Sequence, residues 1–201
     1  MENNVARDVG ILAYGSLIGD PGSELLPAIT ERIRCVTPFP VEFARSSQSR
    51  KGAPTLVPFG SGGLVAAEIL VVNISVELAT DRLYRRELHA VGSKKIYKVP
   101  RVRSLNTVTI ERLEDFHGVT TVLFTKIGAN IADPNPEKLA ALAVASAREL
   151  SDGRDGISYL MAAMAAGIET PLTSAYRDEI LRLTEKEDLP SALENLRGTK
   201  F

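Results

Sequence analysis

The chain of 201 residues contains one cysteine, two histidines and no tryptophan. Cys35 alone cannot close an internal disulfide, and with His89 and His117 it is too small a set for spaced zinc ligation. A lone cysteine of this kind is expected to fill core space rather than act as a nucleophile. Charge is scarce in the net sense: 24 Lys+Arg face 25 Asp+Glu, leaving −1. Neither sign has the excess that would nominate nucleic acid or an anionic membrane, so the expected partner is a small molecule. The longest apolar stretch, Gly63 to Val72, is interrupted by Glu68 and falls far short of the ~20 residues a membrane helix needs. No apolar run follows a basic start, and a cytoplasmic location is expected. No GxGxxG follows a strand, and Gly60-Ser61-Gly62-Gly63 is not followed by Lys and Ser or Thr. Dinucleotide and P-loop chemistry are therefore not indicated, and no cofactor is expected.

What is present reads as α+β. Val9 to Ala13 is apolar throughout, as in a strand covered on both sides, and it runs into Tyr14-Gly15-Ser16-Leu17. Gly15 permits a positive φ or a close approach to a ligand, while Ser16 and the amides beside it offer donors. The usual reading of such a loop is a simple turn. Glu24 to Arg34 is expected to form a short helix broken by Pro27, followed by an extended Val41 to Arg45 and a polar loop from Ser46 to Pro54. Arg45 and Arg50 are either ordinary solvated charges or forks for a substrate carboxylate.

Thr55 to Phe59 and Leu64 to Val72 are expected to form a hairpin across the glycine cluster. A helix capped by Ser75 should run to about Ala90, with Lys95 to Val102 extended after it. Asn106 to Arg112 and Val119 to Lys126 should form a second hairpin. From Pro136 the pattern becomes helical: Leu139, Leu142, Ala143, Ala147 and Leu150 share one face, and Ile157, Leu160, Met161, Met164, Ala165 and Ile168 repeat the spacing. A last helix begins near Ser174 and ends in a loose tail past Pro190, as residues 1–8 are expected to fray at the other end. The whole of 1–201 is read as one domain with a helical part over about 136–196.

One carboxylate stands out. Glu87 lies four residues after Leu83 and three after Tyr84, on the stripe expected to face the core. Burial would disfavour its charged form and move its pKa toward the range useful to a general base. The plainer reading is an ion pair with Arg82, Arg85 or Arg86. A serine hydrolase would instead require His89 to reach Ser16, with no elbow motif to support it.

The strand ending in Tyr14-Gly15-Ser16-Leu17, the glycine-punctuated β segment and Leu83-Tyr84-Arg85-Arg86-Glu87 together resemble the γ-glutamylcyclotransferase superfamily, most of all its ChaC-like branch. Val122 to Ala132, the helix from Pro136, Gly153-Arg154 and Tyr159-Leu160 are similar to that branch's C-terminal part, so the likeness covers roughly residues 8–170. It implies a small mixed β-barrel flanked by helices, and a cofactor-free reaction. The α-amine of a γ-glutamyl amino acid, γ-glutamyl amine or glutathione would attack the side-chain amide carbonyl, closing 5-oxoproline. Glu87 would be the general acid/base, and the amides of Gly15, Ser16 and Leu17 would hold the glutamyl carboxylate or the oxyanion. Ile18 and Gly19 stand where relatives carry an aromatic residue or asparagine, at the position bearing on the leaving group. Tyr97 is the nearest counterpart of a tyrosine that follows the family's glutamate. A non-catalytic small-ligand or partner-binding module on the same fold is the alternative.

Overall fold

The computed structural model describes residues 7–198, so the expected fraying of residues 1–6 and the extreme C terminus lie outside the described residues. The chain divides into two compact units. One comprises the residues up to Thr37 together with Ala66–Gly128; the other comprises Pro38–Val65 and everything from Ala129.

The first unit is built on a mixed five-stranded sheet. Strand β1 (Val9–Ala13) is buried at every position. It pairs parallel with β7 (Val119–Lys126) and antiparallel with β5 (Ala66–Val72). Gly10 makes this central placement possible, because a Cβ there would sit 2.5 Å from Ile69 Cγ2. β2 (Ile29–Val36) pairs with β5 at one edge, and β6 (Thr109–Phe116) with β7 at the other. The edges do not pair with each other: the order is β2-β5-β1-β7-β6, so among the described residues no closed barrel forms. The expected barrel is corrected to an open α+β sheet.

β2 also replaces the helix expected over Glu24 to Arg34. Only Leu26–Ala28 turns as a short 3-10 helix, and then Ile29, Glu31, Ile33 and Cys35 alternate inward with period two. The charged residues suggested a helix, but β-branched Ile29, Thr30, Ile33 and Val36 fit an edge strand. A helix covers the sheet. α2 (Val76–Glu87) begins where Ser75 accepts from the Leu78 N–H at 3.3 Å, and it packs on β1, β6 and β7. Ile11, Leu17, Leu25, Leu70, Leu83 and Leu123 share that core. Between α2 and β6 the expected strand over Lys95 to Val102 is absent. The segment has no strand partner, and Ile96, Val99 and Val102 face solvent.

In the second unit β3 (Val41–Ser47) pairs with β4 (Ala53–Pro58) in a separate two-stranded sheet. β4 and β5 thus belong to different sheets, and Gly60–Gly63 is not a hairpin turn. Its glycines answer a backbone contact instead. Gly63 exchanges two hydrogen bonds with Val41, and a Cβ on Gly62 would lie 2.2 Å from the Val41 carbonyl oxygen. Four helices complete the unit: α3 (Pro136–Glu149), α4 (Gly156–Ala165), α5 (Thr173–Thr184) and α6 (Leu189–Gly198). Asn135 and Asp155 cap α3 and α4 through their side chains. Gly156 lets α4 approach α3 closely, since a Cβ there would sit 2.7 Å from Ala143 Cα.

α6 takes the place of the expected loose tail. Asp188 accepts from the Ser191 N–H at 2.7 Å, Pro190 sits in the first turn, and Leu189, Ala192, Leu193 and Leu196 are buried. Arg197 then bonds the fully buried Asp155 at 2.9 Å.

A second carboxylate of this unit is also buried. Glu42, 1% exposed, accepts from the Phe43 N–H, the Thr170 hydroxyl and the Leu172 N–H. Burial nevertheless pushes its carboxyl above the usual glutamate range, with those three donors opposing the shift. A proton is therefore held more tightly by the folded chain than by the unfolded one. Its stabilising contribution is full below the ordinary glutamate pKa and is lost as pH rises through the higher folded value. Denaturant unfolding of wild type and Glu42→Gln over a pH series should show the wild-type advantage falling across that window and level below it. A difference that does not change with pH would refute this.

Candidate functional site

The loop Tyr14-Gly15-Ser16-Leu17 is held from both ends. Where β1 stops, the Tyr14 hydroxyl donates to the Thr125 carbonyl on β7 at 3.2 Å. Gly15 then takes φ 65° and ψ −137°, a conformation that an L side chain opposes. The turn lets the single-turn helix α1 (Ser16–Gly19) start, closed by Ile18 N–H to Gly15 O at 3.3 Å and Asp20 N–H to Ser16 O at 2.9 Å. Leu17 anchors it in the core, and Ile18 packs against the same cluster. Gly19 has open space around it. Among the described residues the amides of Ser16 and Leu17 meet no acceptor, so they remain able to bind one.

Arg86 joins this loop to Glu87. Its Nη2 donates to Ser16 Oγ at 3.1 Å and to the Asp20 carbonyl at 2.8 Å; its Nε reaches the same carbonyl at 3.1 Å, and its Nη1 meets Glu87 Oε1 at 2.7 Å. The carboxylate and the serine hydroxyl are therefore one guanidinium apart. Glu87 is the last residue of α2 and its side chain is 22% exposed, with Arg86 at 15%. It is half-buried and charge-paired rather than sealed on the core stripe, because the helix ends there. Of the three arginines that could pair with it, Arg86 does so, while Arg85 pairs with Glu24 and Arg82 donates to the Glu24 carbonyl.

The bridging role of Arg86 went unassigned in the sequence, where it figured as one of three possible counter-ions and as a member of the Leu83–Glu87 motif. The signal available was its adjacency to Glu87. Loop closure around it shows in Gly22, at φ +84°, where a Cβ would press to 3.1 Å from Arg86 Cγ.

Tyr97 packs edge-on against Tyr84, ring centres 5.2 Å apart. Its N–H donates to Asp81 at 2.7 Å, and its hydroxyl accepts from the Ile110 N–H at 3.1 Å. Tyr84 precedes Glu87 by three residues on α2, so Tyr97 braces the helix face from which the carboxylate projects. Arg45 and Arg50 belong to the other unit. Burial pulls the Arg45 guanidinium below its ordinary pKa. Arg50 donates to the Arg154 carbonyl at 3.1 Å and lies 5.0 Å over the Tyr159 ring, a structural engagement.

Ser16 Oγ accepts from a cation, whereas a serine nucleophile needs a base to take its proton. Burial and the charge of Glu68 push the Cys35 thiol up to about 11, so at neutral pH it stays protonated and unreactive. Two clefts, of ≈ 500 and ≈ 470 Å³, are lined by other residues than Ser16, Arg86 and Glu87. No protein family, curated protein or solved structure matches the chain.

Proposed function

We propose that this chain is a γ-glutamylcyclotransferase-like lyase of the ChaC-like kind. It would convert a γ-glutamyl amino acid, γ-glutamyl amine or glutathione to 5-oxoproline in the cytoplasm, without cofactor, nucleic acid or membrane. On this reading the five-stranded sheet corresponds to the superfamily's small mixed barrel, opened between β2 and β6. The observation that supports it is the Arg86 guanidinium shared between Ser16 Oγ and Glu87 Oε1, which sets a carboxylate beside a loop with uncommitted amides.

The chemistry follows from those groups. The substrate α-carboxylate binds Arg86 and the amides of Ser16 and Leu17, and Gly15 keeps the backbone out of its way. Arg86 thereby takes the carboxylate-holding role for which Arg45 and Arg50 were candidates. Binding draws Arg86 toward the substrate and loosens its hold on Glu87, whose oxygen accepts a proton from the substrate ammonium. The freed amine attacks the γ-carbonyl carbon of the same molecule, forming the ring C–N bond and a tetrahedral oxyanion. Collapse breaks the bond to the leaving nitrogen, to which Glu87 returns the proton; the extra proton of the ring nitrogen follows through the same carboxylate, so that the ring closes as a neutral lactam and the amine departs as an ammonium. Because nucleophile and electrophile share one molecule, the site has only to hold the curled conformer.

The Arg86–Glu87 pair itself favours a second reading. A carboxylate satisfied by an arginine in the resting protein also suits a site that binds a small γ-glutamyl ligand and does nothing to it. Incubation with a panel of γ-glutamyl amino acids, γ-glutamyl amines and glutathione separates the two: 5-oxoproline released from at least one supports the lyase. Saturable binding without release from any supports the binding module.

A further inference from the structure

A turn and more before Glu87, α2 faces a different cleft, of ≈ 500 Å³, within the range of small-molecule sites. Its apolar wall is Pro27, Ile74 and Leu78, and its polar wall includes Ser23, Asn73 and Arg82. Glu24 and Arg85 also line it but are committed to each other. Arg85 Nε and Nη2 bond Glu24 Oε2 at 2.8 and 2.7 Å, its Nη1 donates to the Lys95 carbonyl at 2.8 Å, and Glu24 Oε1 accepts the Gly92 N–H at 2.6 Å.

Arg82 is different. Its Nη1 donates to the Glu24 carbonyl at 2.7 Å, which fixes the guanidinium in place, while its Nε and Nη2 have no acceptor among the described residues. The paired Glu24 and Arg85 cancel, so the cleft carries one uncompensated positive charge, held in a fork geometry next to exposed aliphatic surface. Leu78 is 38% exposed at that wall. Asn73, exposed and tied by its N–H to the Ala28 carbonyl at 3.0 Å, also lines the cleft and supplies a neutral amide.

We propose that this cleft binds a small organic monocarboxylate, its head on Arg82 and its apolar body against Pro27, Ile74 and Leu78. A planar guanidinium with two nitrogens free to donate suits a carboxylate rather than a cation or a neutral polar ligand. The flanking aliphatic wall selects an acid with a hydrocarbon tail over formate or acetate. The site is separate from the Ser16–Arg86–Glu87 arrangement and stands whether or not that arrangement is catalytic.

Hexanoate and hexanamide, which share a tail and differ in charge, are the probes, titrated against the full chain while backbone amide resonances are followed. Hexanoate should move the amides of Asn73, Ile74 and Leu78 saturably, and hexanamide should bind at least about tenfold more weakly. Arg82→Gln should bring hexanoate down to the hexanamide level. Asn73→Asp adds a negative charge at an exposed position without touching the Arg82–Glu24 contact, so it decides the matter should Arg82→Gln fail to fold; at least a tenfold loss is expected there too. Equal binding of the two probes, hexanoate binding undiminished in either variant, or shifts confined to other parts of the chain would overturn the proposal.

Discussion

Glu87→Gln is expected to lower 5-oxoproline formation by about 10²- to 10⁴-fold, the range that a positioned general acid/base contributes. The amide keeps the size of the carboxylate and can still accept from Arg86 Nη1, so the loop remains fastened through Ser16 Oγ and Asp20 O. Binding should therefore suffer less than turnover, with kcat falling much more than KM rises. Thermal unfolding run beside the assay guards against a folding defect. The exposed fraction of the Glu87–Arg86 pair limits its worth to stability, and a small change in Tm is expected. Undiminished turnover would remove Glu87 from the mechanism.

Gly15→Ala carries the second large effect, and it acts through the backbone. At φ 65° and ψ −137° an alanine is strained by roughly 1–3 kcal/mol, a loss that at this chain length lowers Tm by several degrees. If the chain relieves the strain by rotating, the Ser16 and Leu17 amides leave the place where Arg86 and Glu87 meet, and turnover falls with them. Both outcomes separate this glycine from one that only permits a turn. Wild-type stability and turnover together in the variant would show that the loop has no special geometry to lose. Gly60→Ala is the control, because nothing lies within 4 Å of a Cβ built there and the residue is outside the loop.

Local signals were readable where local physics decides. Five consecutive apolar residues announced β1, Ser75 marked the start of α2, and Pro136 sits in the first turn of α3 just after the cap. Val119 to Lys126 was legible because its apolar residues and the turn before it agree. Partner choice was less readable. Leu64 to Val72 looked like the second arm of a hairpin with Thr55 to Phe59, yet β5 pairs with β1 and β2, a long-range preference that no short window of sequence expresses. β2 was hidden by Pro27 and by its alternating charges, and α6 by the proline that opens it.

At the site, the pairing of Tyr14–Leu17 with Glu87 was proposed from motif order alone, and the structure places both around Arg86. What sequence spacing missed is that α2 ends at Glu87. A helix end lifts a residue off the buried stripe, and that is why an arginine, rather than the core, surrounds this carboxylate.

The most direct measurement is a crystal structure of the protein soaked with 5-oxoproline, the product of the proposed reaction. The account predicts the product carboxylate within hydrogen-bond distance of Arg86 and of the Ser16 and Leu17 amides, with the ring nitrogen in reach of Glu87. Product lodged elsewhere, or Glu87 turned to bulk water with the loop empty, would contradict it.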